Sequence, residues 1–277
     1  MELRERFFMG KVFDISVMDC EERWGFAPGG LTAVRKTTSL IPAVILTAAV
    51  YGVLSLLKIA FPGNDLINMF FPYGEADRTF IPLITVFFAM WCWAMLAMKK
   101  RKLTVQKKLL KALGNCHTIE EKVEFIAQNV EQPQEFAAAE LLLLKYRWEK
   151  SNMSSAETDT LLSGAAVEYE KASDSSFIPI SMLIWAIPVW GFIGTVLGLA
   201  KAVSKFGLLA NSVDGMSFKN ILPQVTGGLA TAFETTLIAL VLALILQIFS
   251  SCRRQDEELF FGSLKSRISA ENQEKPE

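Results

Sequence analysis

Four apolar stretches alternate with polar segments along the chain. They cover residues 40–61, 80–98, 177–203 and 221–250. A helix needs about 20 consecutive apolar residues to cross the hydrocarbon core of a bilayer, and each stretch supplies about that number or more. The pattern therefore predicts an all-α integral membrane protein with four transmembrane helices.

The polar segments predict how the chain is organised around these spans. Residues 1–39 form an N-terminal arm, residues 99–176 a helical region between spans two and three, and residues 251–277 a tail. Residues 40–98 then form a hairpin of spans one and two, and residues 177–250 pair spans three and four.

Local signals within the polar segments predict helices and breaks. Leu3, Phe7, Phe8 and Phe13 favour an amphipathic helix on the membrane surface, and Pro28-Gly29-Gly30 a break before span one. Thr118 and Glu121 have the spacing of a capping box, so a helix starts there, and Pro133 ends it. Further helices are expected over residues 135–150 and 155–171, and residues 204–220 are expected to form a short loop.

Basic residues flank the spans and predict the topology. Four consecutive basic residues occupy positions 99–102, directly after span two, and pairs occupy positions 35–36 and 253–254. Because Lys and Arg collect on the cytoplasmic side of a membrane, both termini and the region between spans two and three are expected in the cytoplasm. The predicted localisation is the bacterial inner membrane, and lipids are expected around the spans.

Composition narrows the class of protein further. Hydrophobic residues make up 51% of the chain, the mean hydropathy is +0.31 and the net charge is −1, so nothing points to a nucleic-acid partner. The four cysteines are scattered and His117 is the only histidine, which argues against a metal site. No nucleophile is paired with a base, so neither an enzyme nor a bound cofactor is expected.

Span three carries small residues on one helical face. Gly191, Gly194, Thr195 and Gly198 follow Pro188, which is expected to break or kink the helix. Small residues allow a second helix to approach closely. Alternatively, Thr195 could offer its hydroxyl to a water-filled seam.

Span four repeats this character and adds an acidic residue. One side carries small residues, namely Gly228, Ala232, Thr235, Thr236, Ala239 and Ala243, with Thr231 at its edge. Glu234 points to the bulkier side, and a charge at mid-membrane costs about 2.5–3.5 kcal/mol. It is kept there for a partner, a water cavity or a protonatable role, unless it lies near the interface or is protonated and hydrogen-bonded.

These residues resemble the MotA/TolQ/ExbB proton-channel family. Pro188-Val-Trp-Gly191-Phe-Ile-Gly194-Thr195-Val-Leu-Gly198 resembles the family's P-x-x-G-x-x-G-T-x-x-G segment. Residues 228–239, GLATAFETTLIA, resemble its G-x-x-x-A-x-x-x-T-x-x-G segment. The resemblance covers about residues 177–250 and the topology, and the four-span layout is closest to the flagellar stator branch.

The resemblance implies a function and a set of roles. It implies a homo-oligomer, a pentameric ring, that encloses two helices of a single-span MotB-, TolR- or ExbD-like partner. A partner aspartate exchanges protons, or sodium ions in some members, and ion flow moves the partner. Thr195 and Thr236 match the positions that face that aspartate, with Thr231, Thr235 and Glu234 as further residues of the ion path.

Further positions of the motifs receive structural roles or depart from the family pattern. The proline and the glycines match coupling or packing positions: Pro188, Gly191, Gly194, Gly198 and Gly228. Ala239 stands where a glycine is usual, and Thr231 stands where some members carry a glutamate. Glu234 lies about one turn further on, so whether it takes over that glutamate's role stays open, as do the ion, the partner and the process driven.

Two other classes of membrane protein were weighed against this hypothesis. A scaffold or assembly protein would keep the helix packing and conduct nothing. A small-solute carrier is disfavoured because spans one and two do not repeat the glycine and threonine pattern of spans three and four.

Overall fold

The computed structural model describes residues 32–34, 36–71, 80–130, 132–151, 153–210 and 215–273. These residues form helices and no β-strand, and four helices are long and apolar enough to cross a membrane. This confirms the all-α, four-span prediction. The amphipathic helix predicted for the N-terminal arm and the Pro28-Gly29-Gly30 break lie outside the described residues.

Eight α-helices follow one another along the described chain, with a short 3-10 turn at Pro133–Glu135 after the fourth. They are α1 (Lys36–Ala60), α2 (Asp65–Asn68), α3 (Ile81–Leu113), α4 (Ile119–Asn129), α5 (Ala137–Lys150), α6 (Ser155–Ser175), α7 (Ile178–Ala210) and α8 (Gly215–Gln273).

The chain divides into two compact units. We call the first, formed by Ser39–Ala94 and Pro179–Ser250, the span unit. The second, formed by Met1–Thr38, Met95–Ile178 and Ser251–Glu277, is the helical unit.

Helix α3 packs against both of the later spans within the span unit. The rings of Phe88 and Trp190 stack with centroids 6.2 Å apart, which joins α3 to α7. Trp93 meets Phe249 edge to face at 4.9 Å, which joins α3 to α8. Aromatic pairs of this geometry contribute about 0.5–1.5 kcal/mol beyond the area they bury, so α3 supports the helix pair that carries the predicted ion path.

Helix α1 joins the span unit through polar contacts near its two ends. The indole Nε1 of Trp91 donates to Ser39 Oγ at 2.7 Å. At the other end Lys58 Nζ lies 4.7 Å from the centroid of the Phe71 ring. The Lys58 side chain, which the sequence predicts to reach toward the membrane interface, thus contacts an aromatic residue of the following loop.

Gln106 links α3 to the start of α5 in the helical unit. Its side chain is completely buried; Nε2 donates to the Glu135 carbonyl at 2.6 Å, and Oε1 accepts from the Ala137 N–H at 3.2 Å. The surrounding core is apolar and is drawn from five helices, including Leu109, Leu113, Ile126, Phe136, Leu141, Leu162, Phe260, Phe261 and Leu264. Gln106 therefore satisfies backbone groups that no water can reach.

The predicted capping box is present at the start of α4. Thr118 Oγ1 accepts from the Glu121 N–H at 3.2 Å, and the Glu121 carboxylate accepts from the N–H groups of His117 at 2.9 Å and Thr118 at 3.2 Å. These backbone donors lower the pKa of Glu121 because they stabilise its ionised form. The spacing of two residues in the sequence was sufficient to place this helix end.

Two expectations about α7 and its neighbour are corrected. Pro188 lies inside α7 and does not break it; proline removes one hydrogen bond, and membrane helices tolerate this loss when neighbouring groups compensate. Residues 204–220 are mostly helical, because α7 continues to Ala210 and α8 begins at Gly215. The predicted loop residues Asn211, Ser212 and Asp214 lie outside the described residues.

Candidate functional site: the seam between two glycine-rich spans

The glycines of α7 lie where α8 approaches most closely. A Cβ atom at Gly191 would lie 2.5 Å from Ala239 Cβ. One at Gly198 would lie 2.7 Å from both the Gly228 carbonyl oxygen and Ala232 Cβ. Carbon atoms in contact are normally about 3.5–4.0 Å apart, so only glycine fits these positions. We call this contact surface of α7 and α8 the seam.

Two further glycines complete the seam. A Cβ at Gly194 would overlap the side chain of Thr235, and it would also lie 3.2 Å from Ile81 of α3. Gly228 returns the contact from α8, since its Cβ would lie 3.2 Å from the Gly198 carbonyl oxygen. The four predicted packing glycines are thus all in the seam, and Pro188 lies one residue short of a turn before the first of them.

The seam buries two of the predicted ion-path threonines. Thr235 is 1% exposed and Thr231 is 6% exposed. Their hydroxyls donate to carbonyls of their own helix, Thr235 to Ala232 at 3.0 Å and Thr231 to Gly227 at 3.0 Å. In the isolated chain these two residues therefore contribute to helix packing and are closed to water.

Thr195 and Thr236 remain partly exposed at the edge of the seam. Thr195 Oγ1 donates to the Phe192 carbonyl at 2.6 Å. Thr236 Oγ1 lies 3.2 Å from two carbonyls, that of Gly191 on α7 and that of Ala232 on α8. Residues i and i+4 of a helix share a face, so Thr195 follows Gly191, and with it the Thr236 contact, along one side of α7.

The hydroxyl of Thr236 is held only weakly. Hydroxyl hydrogen bonds are usually 2.7–2.8 Å long, whereas both of the acceptors of Thr236 lie at 3.2 Å. The proton of Thr236 can therefore turn to a better acceptor, such as a carboxylate, at small cost. The bond of Thr195 is short, and its oxygen keeps lone pairs that can accept a proton from water or a carboxylic acid.

Glu234 lies away from this edge of the seam. It precedes Thr236 by two residues, which places the two side chains about 160° apart around the helix. Glu234 is half-exposed and makes no hydrogen bond or ion pair within the described part of the chain. Its neighbours on that side are exposed apolar residues, Leu237, Val241 and Ile245. Within one chain, Glu234 and Thr236 therefore cannot line the same path.

The structure also places charged residues together in the helical unit where the sequence did not predict it. Lys99 and Glu257 form a buried ion pair, although Glu257 belongs to a segment expected to be a polar tail. A signal was present: Ser250, Glu257, Phe260 and Leu264 follow one another at heptad-like spacing and are all buried. No group of three or more His, Cys, Asp or Glu able to hold a metal occurs among the described residues.

Comparison with known proteins identifies the segment that carries the seam. Residues 126–259 match the model of the MotA/TolQ/ExbB proton channel family. The matched segment contains all of α7 and most of α8, and it confirms the resemblance predicted from the two glycine-rich motifs. No curated protein and no solved structure gives a significant match.

Proposed function

Residues 126–259 belong to the MotA/TolQ/ExbB proton channel family, and from this premise we propose that the chain is the ring subunit of an ion-driven membrane motor. It couples the flow of protons, or sodium ions, to movement of a single-span partner of the MotB, TolR or ExbD kind. Five copies surround two partner helices in the bacterial inner membrane, with both termini in the cytoplasm.

The edge of the seam is the observation that carries this proposal. Thr195 and Thr236 are the two seam hydroxyls that are not buried, and they are also the two that the family resemblance assigns to the partner aspartate. Thr236 has a weakly held proton to donate to an ionised carboxylate, while Thr195 has lone pairs to accept from a protonated one. The pair can thus serve both protonation states without holding an ion as a fixed charge would.

The glycine contacts give this edge a rigid base. Because Gly191 and Gly198 bring backbone against backbone, α7 and α8 cannot slide without losing close contacts along the seam. The two hydroxyls are therefore held in place before the partner arrives, which reduces the entropic cost of binding. Glu234 faces the other side, and we propose that an adjacent subunit or the partner covers it.

The oligomer and its partner are tested by native mass spectrometry of the protein purified in lipid discs, with the bound proteins identified. We expect five copies together with a single-span protein that has an aspartate in its membrane helix. A monomer, or an assembly without such a partner, would instead favour a non-conducting scaffold.

The ion path is tested by Thr236→Val, which keeps the shape of the side chain and removes the hydroxyl. With the partner present, we expect ion flux into proteoliposomes to be lost in Thr236→Val and largely kept in Thr236→Ser. Thr47→Val is the matched control, since Thr47 makes the same kind of bond, to Ala43 at 2.7 Å in α1, away from the seam. Parental flux in Thr236→Val would contradict the proposal.

A further inference from the structure

Lys99 and Glu257 form a buried ion pair inside the helical unit. Their side chains are 1% and 3% exposed. Lys99 Nζ lies 3.1 Å from each of the two carboxylate oxygens of Glu257. Two charges removed from water in this way cost more in desolvation than an exposed pair, and they are tolerated only with close geometry and further hydrogen bonds.

Glu257 receives those further hydrogen bonds from two hydroxyl groups. Thr32 Oγ1 donates to its Oε2 at 3.1 Å, and Ser173 Oγ donates to the same oxygen. Thr32 precedes α1 and Ser173 lies in the last turn of α6. The carboxylate thus joins α8 to two segments that are distant in sequence.

Lys99 is satisfied in a similar way from its own side. Its Nζ donates to Ser176 Oγ at 2.6 Å and lies 4.1 Å from the centroid of the Phe177 ring. A cation over an aromatic ring is stabilised by the ring's negative face. We call Lys99, Glu257, Thr32, Ser173 and Ser176 together the charge node.

The charge node fixes how α8 is rotated about its axis in the helical unit. Consecutive residues of a helix are about 100° apart, so even a small rotation of α8 would draw the carboxylate of Glu257 away from Lys99. Both ions would then lack a partner in a site closed to water. An apolar contact at the same place would resist rotation far less, because it has no preferred direction.

We propose that the charge node is a positioning device for the ion path. Helix α8 is continuous from Gly215 to Gln273 and carries both Glu257 and, about 32 Å earlier at 1.5 Å per residue, Thr236. The rotation held at Glu257 therefore determines which face of span four, that of Thr236 or that of Glu234, is turned to the water-filled path. This inference rests on the proposed function, since it assumes that such a path exists.

The test measures the access of water to span four. A single cysteine replaces Thr236 or Glu234 in a chain whose four native cysteines are replaced, and its reaction with a water-soluble maleimide is followed in native membranes. In the parent chain we expect fast labelling at position 236. In Glu257→Gln we expect the ratio of labelling rates at positions 236 and 234 to change about tenfold, because one ion of the buried pair is left uncompensated.

Glu258→Gln is the matched control. Glu258 is the next residue of the same helix, is half-exposed and pairs with Arg254 at 3.2 Å. Exposed ion pairs contribute little, so the ratio of labelling rates should stay at its parental value in this variant. A change as large as that in Glu257→Gln would overturn the inference, because any charge near the end of span four would then have the same effect.

A second variant covers the case in which Glu257→Gln does not accumulate. Lys99→Gln combined with Glu257→Gln removes both charges and leaves no unpaired ion, so we expect it to accumulate. If the node positions α8, accumulation returns while the ratio of labelling rates stays altered; if its role is only to stabilise the fold, both return together, which overturns the inference.

The proposed function and this inference fail in different ways. If no ion path exists, position 236 is not labelled even in the parent chain, and both fall. If position 236 is labelled in the parent and the ratio is the same in Glu257→Gln, the charge node does not position span four, and the ion path stands.

Discussion

Replacing Gly198 with alanine is the most direct test of the seam. The added Cβ would lie 2.7 Å from the Gly228 carbonyl oxygen and 2.9 Å from the Ala232 backbone nitrogen. Neither atom belongs to a flexible side chain that can turn aside. The helices must separate to accommodate the methyl group, and separation weakens the contacts along the whole seam.

The magnitude follows from two opposing effects. Alanine is favoured over glycine inside a helix by about 0.5–1 kcal/mol, while overpacking of a well-packed interior costs about 1–3 kcal/mol. Gly207→Ala isolates the first effect, since Gly207 lies in the same helix and a Cβ there meets nothing within 4 Å. The difference between the two variants therefore equals the cost of the clash, about 1–3 kcal/mol.

The assay is the free energy of unfolding in mixed micelles, measured for both variants by titration with a denaturing detergent. We expect Gly207→Ala to be as stable as the parent or more stable, and Gly198→Ala to be less stable than Gly207→Ala by the amount above. Equal stability of the two variants would refute the close approach of the helices at Gly198.

Two further predictions concern the helical unit. Gln106→Leu leaves the Glu135 carbonyl and the Ala137 N–H unpaired inside the protein, so we expect a loss of about 1–3 kcal/mol in unfolding free energy for each unpaired group, whereas the exposed Gln128→Leu should be neutral in the same titration. The carboxylate of Glu121, whose pKa is lowered by backbone N–H groups, should stabilise the start of α4 above the pKa of a free glutamate and lose this effect as pH falls through its own lower pKa. Hydrogen exchange of the α4 amides, corrected for the intrinsic rate, should show this pH dependence in the parent and not in Glu121→Gln.

Features encoded by a single stretch of chain were predictable from the sequence. The four spans follow from length and apolarity alone, and the capping box of Thr118 and Glu121 needs only four consecutive residues. The seam glycines Gly191, Gly194 and Gly198 were predicted to pack because small residues repeat on one face of a helix. In each case the physical cause lies within a few turns of the residues concerned.

Features that depend on distant contacts were not predictable in this way. Lys99 and Lys102 were interpreted as part of an exposed basic cluster, yet both are buried, and Lys102 donates to the Ala33 carbonyl at 2.8 Å. Glu257 lies 158 positions from Lys99, and no local pattern links them. Likewise, the threonines of span four share one composition, and only the packing of α7 distinguishes buried Thr235 from accessible Thr236.

The distance between Lys99 and Glu257 along the chain has a consequence for biosynthesis. At about 5–20 residues per second, the ribosome completes Lys99 roughly 10–30 s before Glu257. While span two is being inserted, Lys99 therefore has no acidic partner and carries its full charge, as a residue that directs membrane orientation must. The late arrival of Glu257 then removes that charge from water, so the same lysine serves orientation early in synthesis and the folded interior at its end.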